Sequence, residues 1–577
     1  MSGRAVPAAA ATGRPANLWI RGVLLLLLAT GVLALVLEAS SLDYGQTLRR
    51  VAPAGGVGNA SSLDQGGAQQ LVQHAVPQLP ALEDWMTTDS PASMGETAAK
   101  SSSAINSQNS SVDEVSAADL YHLSLLHGAC IANKGAIVTW EFGAPGDQQD
   151  NETSNRATLI YQDDPELLSK LRQCPDVDLF LPSDVRNNGY CEDSMAYTKY
   201  LNSRLLPLWA LTIELFDPEL GRKVDYFDLC PKTAMLFFQH YWEDVPNSPR
   251  WPKEKQMYLM PNIEMWELDE THFWRVDVVL CKTRICEDRV TKWYEQEGNP
   301  RNSQVVYTKH TSSDQAGYAR RVLGDQVQPK DFSDVRFIHT VGGSYWKGTR
   351  QVLECWLSRP DFPPLDLYVH KWAYDGMFKG RYEQRISNSQ IKLTTDEVGA
   401  LTFTKAVAEN AYFLCPSQME GYGHYMNQAR ASGGVIITTD MDPMKELLPT
   451  DDMGLRVPSK PGSDRNIFLG GSSKKRHGLK GVPGMVAQFT SKDLCETVDH
   501  LLKDYSVDQR EAMGVSARRQ YHEDTQFFAL AMRKLRVLAQ QQVGTYHSAS
   551  SSAEAAEKDE TPKDNEPRKR LRREPDE

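Results

Sequence analysis

Residues Cys415–Asp440 read "CPSQMEGYGHYMNQARASGGVIITTD". An apolar run ends in a Pro-Ser turn, and a carboxylate, Glu420, then stands beside Gly421 and Gly423. A helix-forming run follows, then Gly433-Gly434 and a β-branched strand. Strand, turn, helix, turn and strand at this spacing is a crossover unit of a parallel sheet. The two glycines leave the backbone amides of Gly421, Tyr422 and Gly423 bare at the mouth of the helix, which is an anion site. Glu420 would repel a phosphate but suits the hydroxyls of a sugar. Gln428 lies roughly 7 Å along the helix at 1.5 Å per residue, about the separation of a diphosphate from its ribose.

The same texture extends outward from this stretch. Apolar β-rich runs occur at 135–143, 176–183, 235–240, 276–283, 304–310, 335–343, 365–372, 411–417 and 434–440. Helical runs lie between them, among them 347–357, 396–410 and 423–432. Strands alternating with helices predict α/β architecture with parallel sheets covered on both faces. These strands are too many for one open sheet, so we expect two Rossmann-like domains, split near Gly298–Ser303, over 120–300 and 301–540.

The ends of the chain differ in kind from this body. Leu18–Leu37, "LWIRGVLLLLLATGVLALVL", is long enough to span the ~30 Å of a bilayer. Arg4, Arg14 and Arg21 precede or enter it without an acid, which predicts a cytosolic 1–17 and a signal-anchor over 18–38. Residues 39–119 are rich in Ala, Ser, Gly, Gln and Pro, and we expect a disordered stem there. Sequons at Asn59, Asn109 and Asn151 fit a lumenal stem. Residues 541–577 read as a disordered charged tail with a basic cluster at Arg568–Arg573. Composition is that of a globular protein at 41% hydrophobic residues, and the net charge of -12 speaks against nucleic-acid binding. Nine cysteines in 577 residues are too sparse for a disulfide scaffold, and their spacing fits no zinc site. Structural thiols with an occasional disulfide are the expectation, one cysteine at least being unpaired.

A second loop belongs with the first. "VRFIHTVGGSYWKGT" places Gly342, Gly343 and Lys347 between a strand and the next helix, where an ammonium and a helix N-terminus both favour phosphate. It lacks the residue order of a P-loop. "TTDMDPMKELL" supplies a third strand-end loop, with Asp440, Met441 and Glu446.

Together these stretches resemble the donor site of GT-B glycosyltransferases. The likeness is to the retaining "group 1 / family 4-like" type, with P-S-x-x-E-G-x-G, an acid eight places on, A-x-A-x-G and a closing E-L. The resemblance covers about Gln304–Leu535. It implies that Glu420 holds hydroxyls of the donor sugar. It also implies that Lys347, Gly342, Gly343 and the amides of Gly421, Tyr422 and Gly423 neutralise a departing diphosphate. Gln428 would face the ribose, Asp440 and Met441 the sugar, and Glu446 the same site. Glu420 and Lys347 would carry the chemistry, with no metal and no cofactor beyond the nucleotide-sugar donor. Two positions depart from the pattern: Gly343 stands where many members carry Arg, and Gln428 stands where an acid is usual. Either Lys347 or Arg350 would then supply the missing charge.

The first half offers His240, Glu264 and Lys282 after apparent strands, and "YTKHTSSD" (Tyr307–Asp314) as an interdomain wall. The expected protein is a single-pass Golgi or endoplasmic reticulum glycosyltransferase with a lumenal catalytic part. It would act on a glycan, protein or lipid acceptor, with retention of configuration. A catalytically weak glycan- or nucleotide-sugar-binding relative and a GT-B sugar epimerase are the alternatives.

Overall fold

The computed structural model describes residues 115–144 and 158–557. The expected anchor, all three sequons and the basic cluster lie outside the described residues, as does the stem up to residue 114. Among the described residues, no helix is long and apolar enough to cross a membrane.

The first sheet is built from β1 (Ile137–Thr139), β2 (Leu159–Ile160), β3 (Val177–Phe180) and β4 (Arg204–Leu206). After a hairpin of β5 (Leu215–Asp217) and β6 (Arg222–Val224) it continues with β7 (Ala234–Phe238), β8 (Met257–Met260), β9 (Val278–Cys281) and β10 (Gln304–Tyr307). Its order is β10-β9-β8-β7-β3-β4-β1-β2. The strands from β10 to β4 are parallel, and β1 and β2 close the edge in antiparallel sense. The short runs β2, β4 and β8 escaped the sequence reading, β2 having only two residues and β4 three. β10 pairs with β9 from Gln304↔Val278 to Tyr307↔Cys281, so it ends the first sheet rather than starting the second half. The division between sheets therefore falls after Tyr307, later than the expected 298–303.

The second sheet contains β11 (Phe337–Gly342), β12 (Leu365–Val369), β13 (Ile391–Thr394), β14 (Tyr412–Cys415), β15 (Val435–Thr439) and β16 (Gly454–Val457). All are parallel, in the order β13-β12-β11-β14-β15-β16. The order reverses between β11 and β14. Loops leaving two such strands diverge to opposite faces and open a crevice at their carboxyl ends, where ligands bind in open α/β sheets. The first sheet has the equivalent reversal between β3 and β7.

Each sheet is buried on both faces. Val177, Leu179, Leu236, Phe238, Val278 and Leu280 pack one side of the first sheet, and Phe180, Met235, Phe237, Leu259 and Val279 pack the other. Two returns of the chain tie the halves together. Ile467–Leu469 and Met485–Val486 join the first sheet's core, as do Phe528, Met532 and Leu535 of the helix Val507–Glu557. That helix runs past Gln540, so 541–557 is helical where a disordered tail was expected. At the other end the helix Ala117–Ala132 starts three residues inside the expected stem, on a Ser116–Asp119 capping box.

Cysteine usage also departs from expectation. Cys130–Cys191, Cys174–Cys230, Cys281–Cys286 and Cys355–Cys495 are disulfide-bonded, and Cys415 is buried and free. The partners of three bonds are 56 or more residues apart, so no local spacing announces them.

Candidate active site

The quoted stretch begins as β14 and leaves it at Cys415. Gly423 takes φ +106°, a left-handed entry open to glycine, and the helix His424–Ser432 starts with no side-chain cap on its first amides. Gly433, at φ +75°, ends it in the left-handed C-cap conformation, and its amide bonds back to the helix. The helix therefore presents a bare, electropositive end at the β11/β14 reversal.

Lys347 reaches the same place from the loop after β11. The next helix starts only at Thr349, so Lys347 lies in the loop rather than in the helix's first turn. Its Nζ donates to Glu420 Oε1 at 2.5 Å and lies 3.8 Å from the centre of the Tyr425 ring. Ser417 Oγ donates to the same carboxylate oxygen at 2.5 Å and is bonded to the Tyr425 hydroxyl. The two loops are knitted backbone to backbone as well, Gln418 N donating to Trp346 O at 2.6 Å. Lys347 and Glu420, both expected at one site, are brought into direct contact. Ser417 and Tyr425, which hold them, were not singled out, although both stand inside the quoted stretch.

Gly342, at φ +61°, closes β11, and Gly343 lies under the indole of Trp372, where a β-carbon would collide with the ring. Arg350 does not supply the missing charge: its Nε pairs with Glu354 at 3.2 Å on the exposed face of its own helix. Asp440 is exposed and 3.9 Å from Arg456, and Met441 packs partly buried under the elbow. Thr439 ties their loop to the elbow by donating to Ser417 O at 2.6 Å.

Two expected donor residues face the other half of the molecule. Glu446 accepts from Arg284 N at 2.7 Å and Ile285 N at 2.9 Å, capping the helix Arg284–Glu297 from across the seam. Burial pushes its carboxyl up to about 7, against the pull of those amides. Gln428 Nε2 donates to Glu192 Oε1 at 2.7 Å. Glu192, buried on the helix Asn188–Tyr200, also accepts from Ser313 N at 2.8 Å and Ser313 Oγ at 2.6 Å. Burial alone would raise its pKa, but His127, His424 and the Ser313 bonds hold it below the usual range. An acid at 428 would meet an acid; an amide brings a donor.

Beside Glu192, Asp193 anchors a second cluster. Its Oδ1 accepts from Lys282 Nζ at 2.7 Å and lies 3.0 Å from His424 Nε2 and 3.1 Å from His310 Nε2. Burial opposes the charge, yet Lys282 and His424 hold the Asp193 carboxyl well down. Burial likewise lowers His310, to about 4. Ser312 Oγ lies 2.8 Å from His424 Nδ1, so the expected wall 307–314 does line the seam. Among the described residues, Asp193, His310 and His424 are the one group spaced to hold a cation. The Lys282 ammonium already occupies the shared oxygen and supplies positive charge there. Lys282, noted in the sequence, joins the cluster; His310 and His424 were missed as functional groups, their partners lying more than 100 residues away.

The loop after β8 completes the seam. A β-carbon added at Gly421 would stand 2.5 Å from Glu264 Oε2 and 2.6 Å from Asn262 Oδ1. A β-carbon at Gly421 would displace Asn262, whose Cβ lies 2.7 Å from that position. His240 lies after β7 against Tyr241, with 4.2 Å between ring centroids, and burial lowers its pKa.

No protein-family model and no curated protein matches this chain. Solved structures give faint likenesses. A sucrose-phosphate synthase from Thermosynechococcus elongatus is 11% identical at a TM-score of 0.41, over 65% of this chain and 99% of that one. A glycosyltransferase from Rickettsia africae is 9% identical at 0.41, over 64% and 98%. Alr3699/HepE of Anabaena, solved with UDP and glucose, is 12% identical at 0.38, over 64% and 99%. The α/β assignment rests on the strand orders of the two sheets.

Proposed function

We propose that the protein is a glycosyltransferase that takes a sugar from a nucleotide-sugar donor held at the β11/β14 reversal. The supporting observation is the convergence of Lys347 and Glu420, 73 residues apart, at the uncapped start of the helix His424–Ser432. A leaving diphosphate needs fixed positive charge more than it needs a base, and a helix end with a lysine supplies it without reorganisation. Lys347 spends one of its three N–H donors on Glu420, and the others are available to phosphate oxygens. Glu420, oriented by Lys347 and Ser417, presents its second oxygen to sugar hydroxyls.

One of the two departures from the family pattern has a partner that accounts for it, Gln428 donating to the buried Glu192, and at the other Trp372 covers Gly343. Neither therefore speaks for a relative that only binds. Four disulfides fit an oxidising compartment. They support the reading in which Leu18–Leu37 anchors the chain and the catalytic part faces the Golgi or endoplasmic reticulum lumen. Retention of configuration and a glycan, protein or lipid acceptor follow from the resemblance alone.

The test is turnover of UDP-, GDP- and ADP-sugars by the purified protein and by Lys347→Ala. Loss of the lysine should lower kcat by about 10²–10³-fold, the usual cost of one fixed transition-state donor. Undiminished turnover in the variant would place the site elsewhere, and the anomer of the product, read by NMR, decides retention.

A further inference from the structure

Lys347 and Glu420 enter the site from the loops after β11 and β14, and Tyr425 engages both, the first directly and the second through Ser417. Tyr425 is the second residue of the helix His424–Ser432, on the turn whose first amides have no side-chain cap. Its ring centre lies 3.8 Å from Lys347 Nζ, and its hydroxyl is bonded to Ser417 Oγ at 2.5 Å. A serine hydroxyl has one proton to give, and Ser417 gives it to Glu420 Oε1. Tyr425 is therefore the donor in its bond to Ser417. Lys347 Nζ donates to the same Glu420 oxygen, which closes a circuit of four side chains that begins and ends on Tyr425.

We propose that Tyr425 is the positioning residue of the donor site, its ring seating Lys347 for the diphosphate and its hydroxyl setting Glu420 for the sugar. This inference rests on the donor-site reading above. It assigns the two tasks to different atoms of one side chain, so they can be removed separately.

The ring is suited to the first task. A lysine ammonium is a compact charge on a flexible stem. Glu420 alone would let it swing about the carboxylate oxygen. The negative face of an aromatic ring adds a second fixed attraction. This ring belongs to the same turn as the bare amides, and it packs partly buried against the cluster of Ile338, Phe413, Cys415 and Met426. The lysine charge and the helix end then face one ligand in a fixed relation, as charge stabilisation requires. The hydroxyl is suited to the second. Burial, with Cys415 and Glu420 nearby, pushes its pKa well above the ordinary tyrosine value, so it keeps the proton that it donates. Ser417, oriented from behind, and Lys347 both bond to Glu420 Oε1 and leave the other oxygen to sugar hydroxyls.

The experiment measures, by calorimetry on the purified full chain, the Kd of UDP-glucose, UDP-N-acetylglucosamine, GDP-mannose and ADP-glucose, and of free UDP, GDP and ADP. Tyr425→Phe keeps the packed ring and removes the hydroxyl. It should weaken whichever nucleotide sugar the wild type binds by about 3–10-fold, the worth of one hydrogen bond, and leave the matching free diphosphate within about 2-fold. Tyr425→Leu removes the ring and should weaken the free diphosphate about 10-fold. In a Lys347→Met background the Leu change should cost the free diphosphate under about 2-fold, because the lysine that the ring seats is gone. A Phe variant that binds both ligands as the wild type does, or loses both alike, would overturn the assignment. So would a Leu change that weakens the diphosphate equally with and without the lysine, which is the mark of a merely structural side chain. A Leu variant that does not fold leaves the decision to the Phe arm. Wild-type protein that binds none of the four nucleotide sugars would instead bring down the donor-site reading, and this inference with it.

Discussion

The ends of β11 and β14 and the ends of β7 and β8 face each other across one seam and are built on opposite plans. At β11 and β14, each chemically useful side chain has a partner from the same half: Lys347 has Glu420, Glu420 has Ser417, and Ser417 has Tyr425. At β7 and β8 the buried polar atoms go unmatched. Gln239 Oε1 and Nε2, His240 Nδ1, Asn262 Oδ1, Glu264 Oε2 and Glu267 Oε2 lack protein partners, and Gln239, Glu243 and Asp244 take positive φ. A paired site holds its shape unaided, as fixed charge stabilisation requires. An unpaired one stores free energy that ligand contacts can recover. The β11/β14 side is thus pre-set, and the facing side is the one with bonds still to make.

The seam itself offers the severest test of this contrast. Gln428→Glu would set a second carboxylate 2.7 Å from the buried Glu192. An uncompensated buried charge of this kind costs about 3–5 kcal/mol. The loss should be large at pH 8 and smaller at pH 5, where one of the two acids takes up a proton. Glu192→Gln in the same chain should restore the melting temperature. An unchanged melting temperature at pH 8 would mean that the halves do not meet there in solution.

Gly421→Ala is next in size. Its β-carbon would stand 2.7 Å from Asn262 Cβ, which no side-chain rotation can move aside, and overpacking there should cost about 1–3 kcal/mol in thermal or urea unfolding. Gly343→Ala is the matched control. Trp372, which lies over it, is 60% exposed and free to swing away, so that change should cost under about 1 kcal/mol. Equal losses would erase the distinction between a locked contact and a loose one.

A further test is one of pH. Glu446 titrates near 7 in the folded chain against an ordinary value of 4.5. A raised carboxyl adds stability that is complete below the unfolded value and lost as pH rises through the folded one. Glu446→Gln keeps an oxygen for the Arg284–Glu297 helix cap but removes the titration. Wild type should therefore lose stability relative to this variant between pH 4.5 and about 7. Parallel curves for the two proteins would show that Glu446 is solvated and the cap open.

The amino-acid sequence by itself determined the α/β class, most of the strands of both sheets, and the glycine turns that carry Lys347 and Glu420. These depend on local signals: apolar runs of strand length, glycines at turns, and a carboxylate at the mouth of a helix. Tertiary structure alone decided the rest. It assigned β10 to the first sheet, paired eight cysteines, carried the last helix past Gln540, and gave Gln428, Glu446 and His424 partners in the first half. Each of these outcomes depends on contacts between residues far apart in the chain. The glutamine that looks out of place along the helix is the residue that suits the acid opposite it. Local spacing constrains backbone conformation and side-chain direction, but charge pairing is set by whichever groups the fold brings within about 4 Å, where Coulomb energy and desolvation become large.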